Sequence, residues 1–432
     1  MHLISKLLTI LAVFLAILPS IIVYSQPVLM QGGDYLMTFY PAGKLAVLGR
    51  IADIYTPIGM NTFIGAPFDK FIHATFPAVP ANYVAIYMYS PLIALFFAPF
   101  SYLPAALSLI VWQLINVAVA LWAGLLFARQ KIVDKILDIS VIFLFCPVFH
   151  TLLIGQLGVF FGLAPLAIVY KLLLKRREFL AGLILGTLYM KPQFMPCALL
   201  VCGSLFMVKR PKATLGFVCG LLAMVALTAL LTGPDMVLAF WQSIKMSDSC
   251  YSVASYNPPL WLVTCLPAVI LQCFDVAIRD SLKLPVYGLA AFIGIGALWH
   301  CIKLWRQVPF KESGEDADKS YARANSLTFL AGLFVLPLVV PHFLFYDLCG
   351  LALLAFMVHS DIFSAYEQKL LLVLRRYTWW ACNLYYLSFS FIANTLGPWF
   401  PMVLVALLSV VLYRIKSLNI AQDNGPLGKS SS

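Results

Sequence analysis

Charge is scarce in this sequence. Asp, Glu, Lys and Arg make up 11% of its 432 residues and hydrophobic residues 62%, against roughly 25% and 45–50% in soluble domains. So few charges cannot cover a water-exposed surface. The roughly three soluble domains that length alone suggests are therefore excluded. A mean hydropathy of +0.92 points instead to a polytopic membrane protein whose main solvent is the bilayer. Paired cysteine motifs are missing too. The ten cysteines include no C-x-x-C, and most stand inside apolar runs, such as Cys146, Cys219, Cys301 and Cys382. They read as small buried hydrophobes, not as a disulfide framework or a zinc site. Cys250 lies in a polar stretch and is the thiol that stands apart. There is no P-loop, G-x-G-x-x-G, G-x-S-x-G or H-E-x-x-H, so the nucleotide, serine-hydrolase and zinc-protease readings find no support. Intramembrane carboxylate chains and a clear inverted repeat, expected of pumps and many transporters, are also absent. The D-x-D at Asp316-Ala317-Asp318 sits in a loop too short for a nucleotide-binding domain and reads as coincidence.

What is abundant is apolar sequence punctuated by small basic clusters. Net charge is +11. The basic residues gather at Lys171/Lys175/Arg176/Arg177, Lys209/Arg210/Lys212, Lys303/Arg306/Lys311, Arg375/Arg376 and Arg414/Lys416, each bordering an apolar run. That pattern reads as short cytoplasmic loops and not as a nucleic-acid surface. Runs suited to crossing a bilayer lie at 7–26, 86–103, 105–127, 138–154, 157–174, 179–207 (long enough for two short or broken helices), 213–232, 259–278, 284–304, 326–341, 343–359, 378–395 and 398–415. They predict an all-α fold with about 11–13 crossings. The first run follows Lys6 and lacks a cleavage site, so it reads as a first membrane helix that begins in the cytoplasm.

Two stretches interrupt the pattern. Residues 27–85 are polar, rich in Gly and Pro, and hold Asp34, Asp53, Asp69, Lys44, Arg50, Lys70 and His73. A connection this long is expected to be structured and functional, on the exterior side. Residues 233–258 are a second exterior stretch, ending at Asn257-Pro258-Pro259, and the acidic loop 311–325 reads as cytoplasmic. The topology does not close if both 86–103 and 105–127 cross, because Arg129–Lys135 then falls outside. Pro91, Pro99 and Pro104 suggest that one of the two is short, kinked or re-entrant.

Polar groups within apolar sequence are candidates for chemistry. Asp34, in GGDYLMTFYPAGKL, stands at the end of the first helix beside two glycines. It suits a general base, or equally a solvated loop acid or a helix N-cap. Lys191, in LGTLYMKPQFMPCAL, has little water nearby, and Pro192 breaks its helix. A cation at a broken helix suits a phosphate; the alternative is a lysine snorkelling from a short helix end. Gln156 in LLIGQLGVFF is a polar group between two runs, or a simple turn. His342, Tyr346 and Asp347 in VVPHFLFYDLCG could serve a sugar or a phosphate, or form an interfacial turn. Tyr87 and Tyr89, in Tyr87-Met88-Tyr89-Ser90-Pro91-Leu92, are binding candidates or an aromatic belt.

The order of these groups resembles glycosyltransferase family 87. It runs through Asp34 with Tyr40, Asp53-Ile54-Tyr55, Tyr89-Ser90-Pro91-Leu92 with Ala98-Pro99, and Gly155-Gln156. A basic loop, Ala181-Gly182-Leu183-x-Leu185-Gly186, Lys191-Pro192 and Pro341-His342-x4-Tyr346-Asp347-Leu348 follow. The resemblance covers roughly residues 7 to 360. Ser90 departs from the family's Tyr-Pro-Pro, and the last two spans add no motif.

The resemblance implies a GT-C fold over residues 1–416, with 27–85 as an exterior catalytic loop and 417–432 as a flexible cytoplasmic tail. It implies a polyprenyl-phosphate-sugar-dependent hexosyltransferase, similar to the mannosyltransferases of cell-envelope glycolipid synthesis, in the inner or plasma membrane. Its active site would face the extracytoplasmic side. Asp34 would be the catalytic base of an inverting transfer, and Lys191 and His342 would meet the donor phosphate. Tyr40, Tyr89, Gln156, Gln193, Tyr346 and Asp347 would contact substrate, with Asp53 or Asp347 orienting the sugar. No cofactor and no metal are implied. The partners are a lipid-linked sugar donor, a glycolipid or glycan acceptor, and membrane lipids. Mannose leads, with arabinose, glucose and galactose as alternatives. A transporter or flippase of lipid-linked sugars would share the spans without needing Asp34 as a base, and a purely structural membrane protein would need neither Asp34 nor Lys191.

Overall fold

The computed structural model describes residues 2–25, 33–57, 59–80, 83–127, 132–246, 262–309, 314–357 and 362–423. It is 81% helical, and no strand occurs among the described residues; one isolated bridge joins Val263 to Leu344. Cys250, the Asn257-Pro258-Pro259 turn, Lys311 and residues 424–432 lie outside the described part.

The chain opens with α1 (His2–Ser25). The polar segment after it holds a π-helical turn at Tyr35–Phe39, α2 (Tyr40–Val47), a 3-10 turn at Ile51–Ile54 and α3 (Pro67–Thr75). These pieces pack their own apolar core. Tyr35, Phe39, Tyr87, Phe97 and Trp112 are buried together there, so apolar burial, not the bilayer, holds the segment in shape. Asp69 secures it internally: its carboxylate accepts the Gly65 and Ala85 amide N–H groups at 2.9 and 2.8 Å.

The run at 86–103 does not form one crossing helix. It is α4 (Pro91–Phe97), seven residues long, and one 3-10 turn at Pro99–Tyr102. Pro91 and Pro99 each remove an N–H and impose a new helix start. Of the two runs at 86–103 and 105–127, only the second forms a long apolar helix, α5 (Ala105–Leu125). The run at 259–278 is likewise no crossing: within it α13 (Leu266–Gln272) is seven residues long.

Among the described residues, four helices are long and apolar enough to span a bilayer: α5, α11 (Lys212–Thr232), α14 (Val276–Arg306) over Ala277–Arg306, and α15 (Glu315–Val339). Elsewhere shorter pieces continue one another. Pairs of this kind are α6 (Ile132–Phe143) with α7 (Cys146–Leu153), and a π-helical turn at Gly158–Leu163 with α8 (Ala164–Leu174). α9 (Glu178–Gly186) and α10 (Met195–Met207) flank the Lys191 break, as the length of that run suggests. α12 (Pro234–Met246) follows α11. A 3-10 stretch at Phe345–Leu353 leads into α16 (Leu354–Met357), and α17 (Ala365–Leu396) and α18 (Trp399–Asp423) close the chain. The all-α polytopic membrane architecture is thus established.

The bundle has two chemically distinct ends. At one, Tyr321 donates to Glu178 at 3.0 Å, Arg210 lies 3.8 Å from Glu178, and the Arg176 and Arg210 guanidiniums cover the Tyr321 ring. Asp318 of the D-x-D pairs with Arg176 at 2.7 Å. At the other end lies the Lys191 break. α9 leads from Glu178 toward the Lys191 break, and α10 leads back from it toward Arg210.

α9 is held against α11 by a seam of glycines. A Cβ on Gly182 would stand 1.9 Å from the Ala213 carbonyl oxygen, and one on Gly216 2.0 Å from that of Phe179. Gly186 and Gly220 repeat the approach one turn later. Small residues four apart let apolar helices approach backbone to backbone, where lipid offers no hydrophobic drive. Gly182→Leu is expected to cost about 1–3 kcal/mol by overpacking. The expected result is a lower melting temperature in detergent together with reduced activity, since α9 leads into the Lys191 break; an unchanged melting temperature would show that the seam is loose.

Candidate functional site

Asp34 and Gln156 are 122 positions apart in sequence and meet because two turns are bonded to each other. α7 ends at Gly155, which has φ +68°. A side chain there would be strained in that conformation. Its Cβ would also strike Leu109 Cδ1 and Tyr35 Cβ, each at 2.7 Å. The Gly155 carbonyl accepts from Trp112 Nε1 at 2.8 Å, and the Ile154 carbonyl accepts the Tyr35 amide N–H at 3.1 Å. The Tyr35 hydroxyl lies 2.6 Å from Ser108 Oγ. Asp34 is thereby fixed beside the Gly155-Gln156 turn.

Gln156 is buried and its amide is fully used. Nε2 donates to Asp34 Oδ2 at 2.6 Å and to the Tyr89 hydroxyl at 3.2 Å. Oε1 accepts the Leu157 amide N–H at 3.0 Å and Lys191 Nζ at 3.3 Å. The Leu157 N–H, a donor that cannot be reversed, sets which end of the amide faces Asp34.

Lys191 is fully buried, with φ −138° and ψ 79°. Pro192 disfavours a helical conformation at the preceding residue, which accounts for the break. Its ammonium lies 2.7 Å from Asp347 Oδ1 and near the rings of Tyr346 and Tyr89, at 5.4 and 5.8 Å. Asp347 is held in turn: its Oδ2 accepts the Leu344 amide N–H at 3.1 Å. The Tyr346 carbonyl accepts Thr151 Oγ1 at 3.0 Å. The result is one connected line, Asp34–Gln156–Lys191–Asp347, with Tyr89 and Tyr346 along its flank.

Asp34 keeps partial contact with solvent. Even so, desolvation by the protein around it raises its carboxyl above the ordinary range, opposed by the Gln156 hydrogen bond and the Lys191 charge. Burial raises the Tyr83 hydroxyl too, helped by the charges of Asp34 and Asp69.

The other expected residues are placed differently. Tyr40 spends its hydroxyl on the Leu103 carbonyl at 3.0 Å, and its ring packs on Tyr35 and Phe76. Those contacts support the segment between α1 and α4 and do not join the polar line. Asp53 pairs with Arg50 at 2.7 Å. His342 is half-buried in the turn after α15. Among the described residues, the Gln193 side-chain oxygen is buried with no hydrogen-bond partner, and so is the Tyr189 hydroxyl. These two atoms stand two residues on either side of Lys191, and buried polar atoms left in this way mark places where a ligand group can bind. Sequence reasoning missed Tyr189, as well as the positioning residues Trp112, Ser108 and Thr151. Their role depends on contacts with distant turns, for which the sequence carries no local signal.

A cleft of about 440 Å³ is lined in part by Met190, the residue before Lys191. Phe160, Phe161, Pro165, Ile184, Met190 and Met224 are among the residues that line it, almost wholly with apolar atoms.

Searches of curated proteins and of solved structures gave no match. A model of glycosyltransferase family 87 matches residues 87–314, which include Tyr89, Gln156 and Lys191; Asp34 and Asp347 lie outside the matched stretch. The match spans more than half of the chain, and the chain, a membrane-bound glycosyltransferase, belongs to glycosyltransferase family 87.

Proposed function

We propose that this glycosyltransferase moves a sugar, mannose first among the candidates, from a polyprenyl-phosphate donor to a glycolipid or glycan acceptor on the extracytoplasmic face. The observation that carries this reading is the line from a solvent-reachable carboxylate, Asp34, through Gln156 to a buried cation, Lys191, whose chain neighbour Met190 lines an apolar cleft. Asp34 takes the acceptor hydroxyl's proton as the acceptor oxygen attacks the anomeric carbon. The bond from that carbon to the donor phosphate oxygen breaks, and polyprenyl phosphate leaves with the electron pair. Lys191, held by Asp347, meets the charge that develops on the leaving phosphate. A single displacement inverts the anomeric centre. Asp347 is committed to Lys191 and so is not available as a nucleophile for a retaining route.

Further observations support the reading. The Tyr189 hydroxyl and the Gln193 side-chain oxygen, both buried without partners among the described residues, suit phosphate or sugar hydroxyl groups. His342 is kept as a second phosphate contact and Tyr346 as a sugar contact. The cleft suits a prenyl chain that lies among helices while its head reaches Lys191. The line lies at the end of α9 and α10 away from the arginines, which the positive-inside rule assigns to the extracytoplasmic side. Membership of a transferase family leaves the transporter and structural readings without support.

The test uses the purified full-length protein with radiolabelled polyprenyl-phosphate mannose and a membrane lipid extract. A labelled, chloroform-extractable or glycan product is expected, and a nucleotide sugar alone should give none. Direct turnover of the nucleotide sugar would overturn the donor assignment. Turnover of another polyprenyl-phosphate sugar in place of mannose would overturn the sugar alone.

A further inference from the structure

The sequence pattern suggests Gln156 as a substrate contact, but its amide has no capacity left for one. A glutamine amide offers two N–H donors and two lone-pair sites. The bonds to Asp34, Tyr89, Leu157 and Lys191 take all four, and the residue is 1% exposed. A substrate group could bond to it only by displacing one of these partners.

The amide is also fixed in direction. The Gln156 backbone N–H donates to the Thr151 carbonyl at 2.9 Å. Leu157 directly precedes the π-helical turn that begins at Gly158. Its N–H lies at a helix start, where no carbonyl one turn back is available, and it takes Gln156 Oε1 instead. Of the two bonds on that oxygen, the one from Lys191 is the longer, at 3.3 Å against 3.0 Å, beyond the usual range for N–H···O. When the ammonium turns toward a phosphate, the Leu157 bond keeps the amide from rotating, and Nε2 stays on Asp34.

We propose that Gln156 is a positioning residue: it holds the Asp34 carboxylate ready for the acceptor and links that base to the Lys191 ammonium, without itself touching substrate. The proposal rests on Asp34 being the base of the transfer. A short N–H···O bond to a carboxylate favours the ionised form, the one that can take a proton, and Gln156 supplies such a bond at 2.6 Å. It opposes the desolvation that acts on Asp34. Lys191 and Tyr346 act in the same direction as Gln156, and Asp347 acts against it. Tyr83 and Tyr89 face the same carboxyl.

The test compares the purified full-length parent with Gln156→Met and Gln156→Glu, using polyprenyl-phosphate mannose and a membrane lipid extract. Gln156→Met keeps the length and removes all four bonds. Gln156→Glu keeps an acceptor for Leu157 and Lys191 and loses the donor to Asp34. If the Met variant melts much lower than the parent in detergent, the comparison rests on the Glu variant. Both should lower kcat roughly tenfold to hundredfold at neutral pH, the worth of one hydrogen bond to a charged group, with KM for donor and acceptor within about twofold of the parent. The acid limb of kcat/KM should move to higher pH, because a carboxyl without its donor holds its proton more tightly. A readout independent of turnover is an infrared titration of the carboxyl band that Asp34→Asn removes in each background. That band should titrate at higher pH in both variants than in the parent. Raised KM at unchanged kcat would overturn the proposal and make Gln156 a substrate contact. An unmoved titration would overturn its action on Asp34, whatever the activity and whatever the donor. A moved titration at the parental transfer rate would overturn Asp34 as the base, and with it the catalytic part of the proposal, while the Gln156–Asp34 link would stand.

Discussion

Asp34→Asn is expected to lower kcat by about 10²–10⁴-fold, the usual contribution of a positioned base, while the donor still binds. The substitution is nearly isosteric. An amide oxygen can still accept from Gln156 Nε2, now 2.6 Å from the carboxylate, so the line to Lys191 survives while the proton acceptor is lost. Stability should not suffer. Burial raises the Asp34 carboxyl above its ordinary range, so the ionised form is disfavoured in the folded protein relative to the unfolded chain. By linkage, the ionised carboxylate costs stability above the unfolded value, and the cost disappears as pH falls below that value. The neutral amide removes it at every pH, and the variant should melt no lower than the parent. The same raised value makes a kinetic prediction. The parent's kcat/KM should fall as pH is lowered through the Asp34 pKa, at a higher pH than the usual aspartate value of about 3.9 would give. Steady-state kinetics and a thermal melt decide the matter together: transfer at the parental rate in Asp34→Asn would remove Asp34 as the base, whatever the donor.

Lys191→Met should affect both fold and chemistry, and a second variant separates the two. Removing the ammonium leaves the buried Asp347 carboxylate without its counter-charge at 2.7 Å. Breaking a buried pair in this way typically costs about 3–5 kcal/mol, so a marked fall in melting temperature is expected. In Lys191→Met/Asp347→Asn both charges are gone, and most of the lost stability should return. Activity should not return with it. If Lys191 meets the charge on the departing phosphate, its loss costs about 10²–10³-fold in kcat in either background, with acceptor KM little changed. Donor kinetics at the parental level in the double variant would take Lys191 out of the phosphate site and leave it a structural partner of Asp347. Full activity restored by Asp347→Asn alone would make the pair structural as a whole.

Composition decided the solvent. With so few charges, no arrangement of this chain could present a water-facing surface, and the helical content follows because a bilayer satisfies no backbone group. The break at Lys191 was equally legible, since the constraint of Pro192 on the residue before it is local. The two misread spans, 86–103 and 259–278, are apolar because they pack against protein. Hydropathy cannot distinguish burial in protein from burial in lipid.

Pairing was not legible. Asp34, Gln156, Lys191 and Asp347 each stood out as polar groups in apolar sequence, but nothing local joins residues 122 and 35 positions apart. Their meeting depends on the left-handed turn at Gly155, the hydrogen bonds of Trp112 and Tyr35, and the glycine seam that sets α9 against α11. Tyr40 shows the converse: its place in the sequence resembled that of a ligand contact, and packing turned its hydroxyl to Leu103 instead. Local rules act through neighbours in the chain, whereas a site is made by neighbours in space, and only tertiary packing determines those.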